Sequence, residues 1–336
     1  MDLLESLINL DGVSGDEHDV RDFIIRECKK YVKNVDVDKM GNVIVSRKGK
    51  KPAILFLAHM DEIGLMVKRI TRRGRMYISP IGGIDPPILI GQRVFIKGKE
   101  KIQGVITTDE VLNDDLVPNT VKMEELFVHS GLDAKELKKK GVNIGTYMSF
   151  GSNYDCCTLG SKDVISGKAL DDRIGCYILL ELMRNLKTKN EIYFVFTVQE
   201  EVGLYGAKAS VFNLEPDYAI AVDVTGHEDR NDTMILGNGP ALTIKDAEML
   251  GNKCLNEALQ EVAAKLNINL QLEVGDVGTT DATSIFASKG GIPSAVLGVS
   301  VANIHTTIGM AHKEDIVGAV KVLRGFLKNP PAKCWA

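Results

Sequence analysis

Residues 52–62 read PAILFLAHMDE, and residues 192–201 read IYFVFTVQEE. Both are unbroken apolar runs of strand length that stop abruptly at titratable side chains. A strand with one face in water alternates apolar and polar residues, whereas a run apolar at every position belongs to a sheet covered on both faces. Sheets of that kind are built from alternating strands and helices, and the chain shows this alternation from about residue 160. Helices are predicted over 171–187, 247–266, 281–289 and 314–328, with strands at 191–198, 218–224, 268–274 and 293–299. Toward the N-terminus, Leu3, Leu4, Leu7 and Ile8 fall at helical spacing, a second helix opens at Ser14 or Asp16 and runs to Lys30, and 42–49 form a strand. Residues 64–154 have a different texture, with short apolar segments broken by glycine and proline and one charged helix near 133–140. The expected fold class is α/β: a mixed sheet sandwiched between helices, formed by 1–64 and 155–336, with a β-rich domain inserted over 65–154.

Composition narrows the function classes. The 336 residues are 44% hydrophobic and 26% charged, proportions of a globular protein, and the net charge of −4 gives no basic footprint for nucleic acid. The two basic stretches, SRKGKK (46–51) and KRITRRGR (68–75), each contain a glycine and read as solvated loop ends. No apolar run reaches the length of a membrane span, and the opening MDLLESLINLDG is acidic and helix-periodic rather than a signal peptide. A cytoplasmic location with no membrane partner is the expectation. The six cysteines (28, 156, 157, 176, 254 and 334) show neither metal-type pairs nor a disulfide framework, and read as reduced structural thiols.

In an open α/β sheet, ligands bind beyond the carboxyl ends of the strands, so the residues that follow each apolar run matter most. ILFLA is followed by His59, Met60, Asp61 and Glu62; FVFTV by Gln199, Glu200 and Glu201; YAIAV by Asp223; and SAVLGVSVANI by His305. Asp171 and Asp172 sit where a helix begins. Each has an ordinary structural use when taken singly, such as a helix cap for an aspartate. Together they gather several negative charges at one sheet edge without a compensating base, a costly arrangement that a divalent metal would relieve. His59, Asp171, Glu201, Asp223 and His305 supply two imidazoles and three carboxylates, enough for two metals that share one bridging carboxylate. One of the adjacent glutamates is left over and could serve as a base.

The ordered set AHMDEIG (58–64), GKALDDRIGC (167–176), QEEVGLYGA (199–207), AVDVT (221–225) and NIHT (303–306) resembles the M42 family of metalloaminopeptidases, the tetrahedral aminopeptidases. SGDEHDVRDFI (14–24), IGGIDPPILIGQRV (81–94) and GTTDATSIFASKGGIPSA (278–295) also fit, so the resemblance spans nearly the whole chain. It implies that Asp171 bridges two divalent metal ions, zinc or cobalt and alternatively manganese. His59 and Asp223 would complete one site, Glu201 and His305 the other. Asp61 would hydrogen-bond His59 and fix its tautomer, and Glu200 would be the general base. The implied reaction is removal of N-terminal residues from short peptides by a metal-activated water. The insert would be PDZ-like and dimer-forming, with the dimers assembled into a tetrahedral dodecamer.

Some details depart from the family pattern. Ala302-Asn303-Ile304-His305-Thr306-Thr307 stands where members often carry Arg-Tyr-(Ile/Met)-His-Ser-Pro, and Gly278-Thr279-Thr280-Asp281 replaces Gly-Gly-Thr-Asp. His312 is a second candidate for the last ligand, while His18, His129 and His227 have no motif support. Alternative readings are a deacylase or carboxypeptidase of the same clan, a glycoside hydrolase, and a non-catalytic peptide-binding scaffold.

Overall fold

The computed structural model describes residues 1–109, 121–151, 157–226 and 234–335. Lys50–His59 lies inside an 11-stranded sheet, flanked by Asn190–Thr197 on one side and Tyr218–Gly226 on the other, with Ser294–Ala302 next beyond. These four neighbours run parallel, so their carboxyl ends meet at one edge. Register places Thr197 opposite His59, and Asp223 opposite Gly298.

The apolar run is buried on both faces because successive side chains point to opposite sides of a sheet. Ile54, Phe56 and Ala58 join a cluster with Ile174, Ile178 and Phe194, whereas Leu55 and Leu57 pack against Ala207, Val211 and Ile285. Helix Leu170–Arg184 covers the first face, and the short helices Tyr205–Ser210 and Asp281–Phe286 cover the second. Among the described residues, no helix is long and apolar enough to cross a membrane.

Five residues past His59, at Gly64, the chain enters a closed six-stranded barrel. It comprises Gly64–Ile70, Met76–Ile81, Arg93–Lys97, Lys101–Thr107, Phe127–His129 and Tyr147–Phe150. The barrel has its own core of Leu65, Val67, Ile96, Ile106 and Met148, which explains the short apolar segments in its sequence. Two lysines on adjacent barrel strands reach back to the N-terminal loop: Lys97 pairs with Asp16 at 2.7 Å and Lys101 with Asp11 at 2.6 Å.

Three expectations need correction. The helix expected from 247 begins at Lys253, because Asn252 caps it by accepting from Leu255 N at 3.1 Å, while Asp246 accepts from the backbone of Glu248 and Met249 and holds a turn. The strands Ala241–Lys245 and Gly309–His312 extend the sheet beyond those expected. Cys254 and Cys334 form a disulfide across 80 residues, a pairing that spacing cannot reveal; Cys28 and Cys176 are free and buried.

Candidate active site

The edge where the four parallel strands end gathers the titratable residues that follow them. Asp171 is at its centre. Its Oδ1 lies 2.9 Å from His59 Nε2, and its Oδ2 lies 3.3 Å from His305 Nε2. Asp223 Oδ1 approaches His59 Nε2 to 3.8 Å, and Glu201 Oε2 approaches His305 Nε2 to 3.3 Å. Two groups could therefore each hold a metal ion, His59–Asp171–Asp223 and Asp171–Glu201–His305, with ligand atoms within 4.8 Å of one another and Asp171 common to both. Glu200 belongs to neither group, although its Oε2 lies 4.0 Å from His59 Nε2.

The two aspartates that open helix 170–184 divide the work. Neither has helical backbone angles (φ −82°, ψ 109° and φ −117°, ψ 48°), so the chain kinks there before the helix proper begins. Asp172 turns inward and caps that helix, accepting from Gly175 N at 2.8 Å. The kink leaves the Asp171 carboxylate free to face the imidazoles. The nearby bases Lys168 and Arg173 do not neutralise this pair. Lys168 Nζ lies 2.8 and 3.0 Å from the Glu62 oxygens, and Arg173 donates to the carbonyls of Met60, Leu7 and Leu10.

Asp61 is wholly buried and works as an organiser. It accepts from Ser14 Oγ at 2.6 Å and from the backbone N–H groups of Glu200 and Glu201 at 3.1 and 3.2 Å. These bonds fix the turn that carries the two glutamates. Its Oδ1 also lies 3.5 Å from His59 Nδ1, within ion-pair range but beyond a good hydrogen bond. Burial works against the Asp61 charge, yet contact with His59, Ser14 and Glu200 N holds its pKa below the ordinary value.

Burial dominates the electrostatics, and crowded negative charge adds to it. Burial, reinforced by the Asp171 charge, pushes both Glu201 and Asp223 up to about 8. Glu200 is raised well above its ordinary value by burial and by the charges of Asp223, Asp281 and Glu201. Asp171 resists the same burial because His305 and His59 hydrogen-bond it, and its pKa is lowered. Its contact in turn lifts His305 to about 9. A donor set of imidazole nitrogens and carboxylate oxygens, left partly protonated for want of positive charge, fits borderline divalent ions.

The structure brings together His59, Asp61, Asp171, Glu200, Glu201, Asp223 and His305. His312 is elsewhere: it caps the last helix, its Nδ1 accepting from Glu314 N at 3.3 Å. His227 and residues 110–120 lie outside the described residues. Several contributors were not legible as such. Gly82 and Gly83 bring the barrel's backbone against two of these residues; a Cβ on Gly82 would stand 3.1 Å from Glu201 Oε2, and one on Gly83 3.1 Å from His305 Nδ1. The IGGID string was the available signal, since paired glycines mark close backbone approach. His305 adopts φ +57° and Gln199 φ +54°, left-handed conformations that cost non-glycine residues of order 1 kcal/mol and gather at functional sites.

The profile of the family described as M42 glutamyl aminopeptidase matches residues 41–322. The chain belongs to the M42 aminopeptidase family. It is a peptide hydrolase, and relatives support the assignment over nearly its whole length. A putative aminopeptidase of Acetivibrio thermocellus is 40% identical over 96% of each chain. The lysyl aminopeptidase of Pyrococcus furiosus is 34% identical over 98% of this chain and 96% of its own. Among solved structures, one described as "Pyrococcus horikoshii TET1 peptidase can assemble into a tetrahedron or a large octahedral shell" superposes with a TM-score of 0.88. It has 30% identity over 97% of this chain and 98% of its own. The mixed α/β architecture is thus that of TET aminopeptidases.

Proposed function

We propose that this M42 aminopeptidase holds two divalent metal ions, with Asp171 as the bridge, and uses Glu200 as its general base. The observation that carries the reading is the shared carboxylate: Asp171 turns one oxygen to each of two ligand groups. His59 and Asp223 would hold one ion, Glu201 and His305 the other. The donors suit zinc or cobalt, and also manganese. Bound there, the ions would acidify a water and polarise the scissile carbonyl of a peptide.

The chain's residues do the rest. Glu200 sits close to His59 without belonging to either group, in a buried position that raises its affinity for a proton. A carboxylate so placed can take a proton from the attacking water and return it to the leaving amine. Asp61 keeps Glu200 and Glu201 in place by accepting from both their backbone N–H groups, so adjacent glutamates perform different tasks. Recognition of a free α-amino group by one of the two ions would limit cleavage to the N-terminal residue. A complete ligand set with a base beside it favours a catalyst over a scaffold. The reading includes a homo-oligomer, with the barrel as its PDZ-like dimer contact and a tetrahedral dodecamer as the final form; the tetrahedron or octahedral shell named for the TET1 structure supports assembly into a closed particle.

Metal binding tests the centre. At pH 7 the metal-free site holds protons on His305, near 9, and on Glu201 and Asp223, each near 8. Ions must displace those protons, so affinity rises with pH and levels off above about 9. Calorimetric titration of chelated protein with zinc should give two ions per chain, with a binding heat that varies with the ionisation enthalpy of the buffer. One ion per chain, or a heat independent of buffer, would contradict the two-group centre.

A further inference from the structure

A cavity of about 300 Å³ opens beside His305, at the junction of the sheet and the barrel. Ile63, Leu89 and Phe150 form its buried walls, Ile88 completes the apolar side, and the loop from Asn303 to Ile308 forms its rim. Apart from His305, the described lining contains no ionisable side chain. The polar members are already engaged. Gln92 Oε1 accepts from Thr307 Oγ1 at 3.1 Å, bridging barrel and loop, and Thr306 Oγ1 donates to the carbonyl of Asn303 at 2.6 Å.

We propose that this cavity is the subsite for an apolar side chain of the peptide, next to the bond being cut. The inference rests on the aminopeptidase reading, because it uses His305 as a ligand of the metal pair. A peptide whose reacting carbonyl lies at that pair must place a neighbouring side chain within a few ångströms of His305, and the cavity is the recess that begins there. An aliphatic or aromatic side chain would exchange water for Ile63, Leu89 and Phe150. An ammonium or carboxylate would lose hydration against these walls, and the described lining offers it no ionisable side chain besides His305, which the metal pair would engage. Leu, Ile, Met and Phe are therefore the favoured residues, and Lys, Glu and Asp the rejected ones. Ile308, 50% exposed at the rim, is where a single charge can change the choice without disturbing the buried wall.

Two oppositely charged substitutions test this. Metal-loaded wild type, Ile308→Asp and Ile308→Lys are assayed for kcat/KM on aminoacyl p-nitroanilides bearing Leu, Lys or Glu. A second panel of alanyl dipeptides carries the same three residues in second place. Wild type should prefer Leu over both charged residues at least tenfold in one panel, and that panel identifies the side of the scissile bond the cavity serves. In the same panel, Ile308→Asp should raise the Lys-to-Leu ratio at least tenfold, and Ile308→Lys should raise the Glu-to-Leu ratio likewise. General damage to the fold would depress all substrates together and leave the ratios unchanged. Ratios unmoved in both panels by both variants would overturn the subsite assignment while wild-type activity upheld the aminopeptidase reading. Absence of hydrolysis of any free-amine substrate by wild type would instead overturn that reading.

Discussion

Replacing Glu200 with Gln is expected to lower kcat about 10³-fold and to leave two metal ions bound per chain. Glutamine preserves the shape of the side chain and removes its capacity to accept and return a proton. Glu200 lies outside both ligand groups, so its replacement takes no donor from either ion. Glu201→Gln, one residue away, should behave differently. Glu201 belongs to the group with Asp171 and His305, and its loss should weaken one ion and lower metal content along with activity. Rates on a p-nitroanilide substrate, with metal counted by mass spectrometry on the same samples, distinguish the two. An active, fully metallated Glu200→Gln enzyme would remove the base from the mechanism.

The second large effect concerns Asp171. Asparagine at this position offers one carbonyl oxygen where aspartate turns a charged oxygen to each imidazole. Asp171→Asn should retain at most one ion per chain after dialysis, and kcat/KM should fall at least 10³-fold. Asp172→Asn is the matched control. Asp172 is buried, its pKa is raised well above normal by burial and by Asp223, and its hydrogen bond is to the backbone of Gly175. An amide can accept that bond as a carboxyl does, so this variant should keep both ions and stay within tenfold of wild-type activity. Equal losses from the two substitutions would mean that the neighbouring aspartates are not divided between bridge and cap.

The site was legible in the sequence where its chemistry conflicts with strand physics. His59, Glu200, Glu201 and Asp223 stand out because each follows a run without a charged residue, and the parallel pairing of the four strands carries all of them to one edge. What backbone geometry decides was not legible. DD at 171–172 gives no sign of which aspartate caps, because the kink and not the residue type separates them. Lys168 and Arg173 are near Asp171 in sequence, yet their length lets them reach Glu62 and the N-terminal carbonyls instead. The segments at 64–154 read as short strands broken by glycine and proline, but that texture alone does not say that six strands close into a barrel. The left-handed turn at His305 and the disulfide between Cys254 and Cys334 depend on contacts formed only when the chain is folded.

Hydrolysis of leucyl p-nitroanilide and its N-acetylated counterpart, before and after chelation and again with zinc or cobalt restored, addresses the central claim most directly. Release from the free-amine substrate alone, lost on chelation and recovered with metal, is the predicted result. Equal release from both substrates, or a rate indifferent to chelation, would contradict a metal-dependent aminopeptidase built around Asp171.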